Sequence, residues 1–266
     1  MNFMVSISPK KAEDEALDIL NRVIGEKRNV SEFENARIIN CLDSLKRARS
    51  SSYDEISACY YSQIADIDNL LVSVSNVFSS GNEDSFFNII YALNNAMRYR
   101  EIYKYIKDLN LDYDIRDFLE SAIKASTFCV DKKMVDRFTE SYRNIFHDEN
   151  AVDFLNHIGE LNSFFSSHES IKKEMSSYML DCFDVFSRVS LIKTKEIDGT
   201  YGYSHHIFND EGYEFLAFSF ILRGDEVDMD MLIDIEDEFT THISKIKYEP
   251  IIKTKISFNF ELGDLS

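Results

Sequence analysis

Proline occurs only at positions 9 and 250 of this 266-residue chain, and before residue 190 glycine occurs only at 25, 81 and 159. The two residues that most disfavour a helix interior are thus nearly absent from the first two thirds of the chain. Such a stretch is suited to a succession of helices joined by polar turns. Beyond it, Gly199, Gly202, Gly212, Gly224, Gly263 and Pro250 crowd together, as turns between strands require.

Within the first stretch, Ser8-Pro9 reads as an N-cap and first turn, because the N–H that proline lacks would be unpaired there anyway. Ala12, Ala16, Leu17, Leu20, Val23 and Ile24 form one apolar stripe ending at Gly25. Ser31 with Glu34 is a capping-box pattern opening a second helix. Apolar residues at helical spacing predict a long third helix over Asp54–Phe78 and a long fourth over Glu83–Lys107. Four more helices follow, starting near residues 115, 131, 150 and 169. The starts have no constant period, so the expectation for residues 1–189 is an all-α helical bundle or irregular helical-hairpin stack of about eight helices.

From residue 190 the apolar period becomes two. Residues 191–197 read as a strand leading into an Asp198-Gly199 hairpin, with Tyr201, Tyr203, His205 and Ile207 alternating on the returning strand. Asn209-Asp210-Glu211-Gly212 turns the chain into a buried strand over Tyr213–Leu222. Val227, Met231, Ile235, Phe239, Ile243 and Ile246 mark an amphipathic helix, and Ile251–Leu262 a terminal strand. The predicted class is therefore α+β and predominantly helical, with a β-β-β-α-β module at 190–266.

Charge sorts the functional options. The chain carries 47 acids against 29 bases, a net charge of −18, and residues 190–266 hold 16 acids and 7 bases. This excludes the positive footprint that phosphate contact demands, so no direct nucleic-acid binding is expected. No membrane span is expected either, and no secretory signal is read at the N-terminus. Cys41, Cys59, Cys129 and Cys182 lack zinc or redox spacing and read as reduced, buried thiols, which fits a cytoplasmic location.

Asp225, Glu226, Asp228, Asp230, Asp234, Glu236, Asp237 and Glu238 form the densest acidic run, with no base among them. They read as a partner-binding surface for a protein, with a basic one favoured by electrostatic steering. Dense tyrosines at 60, 61, 91, 99, 103 and 105 suit core, boundary or interface positions. Asp108–Asp114 begins like a calcium loop but has Tyr113 where glycine is needed and Leu119 where a bidentate Glu is needed, so no metal is expected. Arg143-Asn144-Ile145-Phe146-His147 resembles the Arg and His pairing of small helical-bundle ribonucleases, with three intervening residues instead of four to six. It makes Arg143 and His147 the catalytic candidates, as phosphate binder and acid–base. His205 and His206 are neighbours on a strand and face opposite ways; one of them with Asp210 or Glu214 is a further hydrolytic candidate. Phosphate-cradling glycine loops and nucleophile elbows are absent from the sequence, so no cofactor is expected. These features favour a non-enzymatic accessory or inhibitory subunit of the immunity, antitoxin-like or antiviral-defence kind. The alternatives are a ribonuclease and a subunit that self-associates by pairing its terminal strand.

Overall fold

The computed structural model describes residues 8–107, 109, 114–196, 199–210, 212–224 and 227–263. Their order confirms a predominantly helical α+β architecture with a small three-stranded sheet near the C-terminus.

Helices α1 (Pro9–Gly25) and α2 (Glu32–Ala48) start where their caps require. The Ser31 Oγ accepts from the Glu34 N–H at 3.3 Å, and Glu34 Oε2 accepts from the Ser31 N–H at 3.1 Å. The single helix expected over Asp54–Phe78 is two, α3 (Tyr53–Gln63) and α4 (Ile67–Ser80). Likewise Glu83–Lys107 comprises a short 3-10 turn, α5 (Phe86–Asn95) and α6 (Tyr99–Ile106). The next pair is α7 (Arg116–Phe128) and α8 (Lys132–Ile145), followed by α9 (Glu149–Ser167) and α10 (Lys172–Arg188).

The two unexpected breaks and the expected one between α7 and α8 share one cause. Ala65, Met97 and Val130 adopt left-handed φ values of 57°, 52° and 50°. The N–H of the following residue then donates five residues back, Asp66 to Tyr61 O at 2.9 Å, Arg98 to Leu93 O at 2.8 Å and Asp131 to Ser126 O at 3.0 Å. This is the Schellman closure, made here without glycine. These three are 32 and 33 positions apart, each at the bend of a hairpin: α3–α4, α5–α6 and α7–α8. Lys27 and Arg49, at φ 50° and 52°, make the same closure 38 and 16 positions before Ala65, outside that spacing. First helices pack on first helices, α1 on α3, α3 on α5, α5 on α7 and α7 on α9. The helices are therefore laid down as successive hairpins, each touching its neighbours in order, as in helical-repeat proteins.

Residues 190–196 form helix α11 (Ser190–Glu196), which corrects the strand expected there. Leu191 and Thr194 are both fully buried, three residues apart on one helical face, and Thr194 Oγ1 donates to Ser190 O at 2.8 Å. Asp198 lies outside the described residues. The hairpin forms between β1 (Thr200–Asp210) and β2 (Tyr213–Arg223), with Gly212 at φ 87° in the turn. After β2 come α12 (Met229–Ser244), α13 (Pro250–Lys255) and β3 (Ile256–Leu262). The terminal strand is thus shorter than the expected Ile251–Leu262, because Pro250 occupies the first helical turn and starts α13. The sheet order is β1-β2-β3, antiparallel then parallel, so β1 and β3 are its edges. A parallel return needs a crossover, which α12 and α13 supply.

One sheet face packs on the hairpins. Phe183 of α10 lies edge-on to Phe218 at 5.2 Å, and Phe186 stacks on Phe220 at 3.9 Å. Phe239 of α12 meets Phe220, Phe258 and Phe260 on the same face. A large apolar core accordingly runs from Ala58 to Phe260, crossing residue 189 without a break, beside a smaller one formed by α1, α2 and α3.

Candidate interaction surface

Helix α12 begins at Asp228, whose extended backbone and Oδ1 cap the Met231 N–H at 2.9 Å. The buried residues Leu232, Ile235 and Phe239 recur at helical spacing and fasten one face to α10, α11 and β3. At about 100° per residue, Met229, Asp230, Ile233, Asp234 and Asp237 must then share the opposite arc. All five are exposed, Met229 at 55% and Ile233 at 47%.

Glu236 and Glu238 lie at the borders of this arc and are half-buried; Glu238 pairs with Lys193 of α11. Among the described residues no ion pair or side-chain hydrogen bond engages Asp230, Asp234, Glu236 or Asp237. Asp225 and Glu226 lie outside the described residues. The surface therefore combines two apolar side chains one turn apart with carboxylates left to solvent. Reading the acids alone missed Met229 and Ile233. Their spacing of four, offset from the core stripe, was the available signal.

The other candidates are scattered. Arg143 is exposed in the last turn of α8, whereas His147 lies past the helix end, after Phe146 in extended conformation with φ −112° and ψ 125°. The helical i, i+4 relation between them is therefore not kept. His205 points toward the hairpins, next to His157 of α9, while His206 is exposed. Glu214 lines one cleft with His157, His205 and His206, and accepts from Ser167 Oγ at 2.7 Å with His168 Nδ1 at 3.7 Å. The side chain of Asp210 and residues Asp108, Asn110 and Asp112 lie outside the described residues.

Among the described residues no group of three or more His, Cys, Asp or Glu could hold a metal ion, and no helix is long and apolar enough to cross a membrane. Burial pushes the Cys59, Cys129 and Cys182 thiols up to about 12, so they are poor nucleophiles.

No known family model matches the chain. No solved structure matches it either. A UPF0746 protein of Dictyostelium discoideum is 28% identical over 147 residues, an alignment covering 51% of this chain and 15% of that protein.

Proposed function

We propose that this chain is a non-enzymatic accessory or inhibitory subunit that grips a basic, amphipathic segment of a protein partner through the outer face of α12. The observation that carries this reading is the pairing of exposed Met229 and Ile233 with the unneutralised Asp230, Asp234 and Asp237. A segment with Lys or Arg flanking apolar residues complements both parts. The apolar contacts would supply affinity, and the carboxylates the encounter rate and register. The partner is a protein, because the net charge of −18 opposes approach to a phosphate backbone.

Two substitution sets separate the parts. Partner recovery by the wild-type chain is compared with Asp230→Asn/Asp234→Asn/Asp237→Asn and with Met229→Ser/Ile233→Ser, each at 0.05 M and 0.5 M salt. The expected result is one protein retained by wild type, weakened at high salt and lost from both variants. Retention by the triple variant, or salt-insensitive retention by wild type, refutes the surface.

A further inference from the structure

In a chain this acidic, a cavity walled without any carboxylate stands out. One lies between the C-terminal half of α7, the middle of α9 and the edge strand β1, enclosing about 310 Å3. That is the lower end of the volumes that hold small ligands. Phe154, Leu161 and Tyr203 give it an apolar body, and Lys124, His157 and His205 give it a basic rim. Lys124 has no carboxylate partner among the described residues; its Nζ sits 5.7 Å above the Phe154 ring.

His205 adds an independent sign. Its Nε2 is buried without a hydrogen-bond partner. Burial first, then His157, His206 and Lys124, push the His205 pKa down to about 4, so it is neutral at pH 7 in the empty cavity. The groups facing it are His157 from α9, Lys124 from α7 and His206 beside it on β1; its β2 neighbour is Phe218. Glu160 and Glu214 line an adjoining cleft that shares His157, His205 and His206 with this cavity.

We propose that this cavity binds a small organic acid with an aromatic or branched apolar body, its carboxylate held by Lys124 and His205. The His205 ring takes one proton from solvent as the carboxylate enters, and no covalent bond changes. The apolar lining selects against inorganic anions, and the basic rim against amides and amines of the same shape.

The test is calorimetric titration of the full chain with 2-naphthoate and with 2-naphthamide, at pH 7.5 and pH 6.0 in 0.15 M salt. The expected result is saturable naphthoate binding at least tenfold tighter than that of the amide. Lys124→Met, which keeps the apolar stem, loses tenfold or more with an unchanged melting temperature. Naphthoate affinity rises about thirtyfold from pH 7.5 to 6.0, tenfold per pH unit as uptake of one proton requires, and His205→Gln flattens that rise. Absence of naphthoate binding, equal binding of the amide, or full affinity in Lys124→Met overturns the site. A pH response untouched by His205→Gln overturns the placement of the carboxylate.

Discussion

In the helical hairpins, carboxylates near the interior are met by arginine; on α12 they are met by water. Glu34, only 6% exposed, accepts from Arg22 at 2.9 Å and from Arg28 at 2.8 and 2.9 Å while also closing the cap of α2. Arg98, 4% exposed, donates to Glu101 at 2.5 Å and approaches Asp184 at 3.0 Å. Arg100 bridges Asp181 and Asp184 at 2.8 Å, and the Tyr248 hydroxyl donates to Asp181 at 2.8 Å, tying the segment before α13 into the network. Residues 190–266 contain a single arginine, Arg223, and Asp230, Asp234 and Asp237 receive none of it. A planar guanidinium satisfies a carboxylate in two places at once, so its use marks acids that hold the fold. Among the described residues, Asp230, Asp234 and Asp237 have neither an arginine nor a cap to serve, unlike Asp228 at the start of the same helix.

That contrast can be broken at the seam between the regions, where the largest effect is expected. Phe186 of α10 stacks on Phe220 and touches Tyr201 and Phe260. Phe186→Ala opens a cavity there and should cost about 4 kcal/mol in urea unfolding. Because one core spans hairpins and sheet, a single cooperative transition is expected. Two separated transitions in the variant, followed by far-UV circular dichroism and tyrosine fluorescence, would show that the regions are energetically independent.

Next comes the buried arginine. Arg98→Ala leaves half-buried Glu101 and half of the Asp184 pairing without their cation, and a loss of about 3 kcal/mol is expected. Burial already pushes Asp184 up to about 6 against the pull of Arg98 and Arg100, so removing one cation deepens the penalty. A loss below about 1 kcal/mol by urea titration would place this arginine with the dispensable surface charges.

Glu34 sharpens the contrast by pH. Hydrogen bonds from Arg28 and Ser31 hold its carboxyl well below the ordinary carboxylate range, against the opposing effect of burial. A depressed folded-state pKa stabilises the native chain above the unfolded value and stops doing so as pH falls toward the folded one. Glu34→Gln should therefore cost about 2 kcal/mol at pH 7, and the gap to wild type should narrow below pH 4.5. A gap that stays constant from pH 7 to pH 3 would assign the loss to the cap geometry alone.

How much of this was legible before folding differs between the same regions. Ser8-Pro9, Ser31 with Glu34, and Gly81 state helix boundaries in chemical terms, and α1, α2 and the end of α4 fall there. Ala65 and Met97 state nothing, because neither favours a left-handed backbone; the tertiary packing of hairpins imposes those bends, and their regular spacing with Val130 stays hidden with them. Residues 190–196 and 250–255 alternate well enough for a strand, and only burial of Leu191 with Thr194, and Pro250 in a first turn, decide for helix. The outward acids of α12 were readable from spacing, whereas the gathering of Lys124, His157 and His205 depends on contacts between α7, α9 and β1 that no local pattern encodes.

The smallest expected effect is the most discriminating. Asp230 lies in the first turn of α12, where the helix dipole favours an acid, so Asp230→Asn alone should cost a few tenths of a kcal/mol. Asp234 is one turn from Asp230 and three residues from Asp237, spacings at which like charges repel by a similar amount. Neutralising all three therefore trades a lost dipole interaction against relieved repulsion, and the melting curve should move by no more than about 0.5 kcal/mol in either direction. A chain that melts normally yet releases its partner separates recognition from folding on one helix face. A loss of 2 kcal/mol or more would place these carboxylates with Glu34, as groups the fold itself requires.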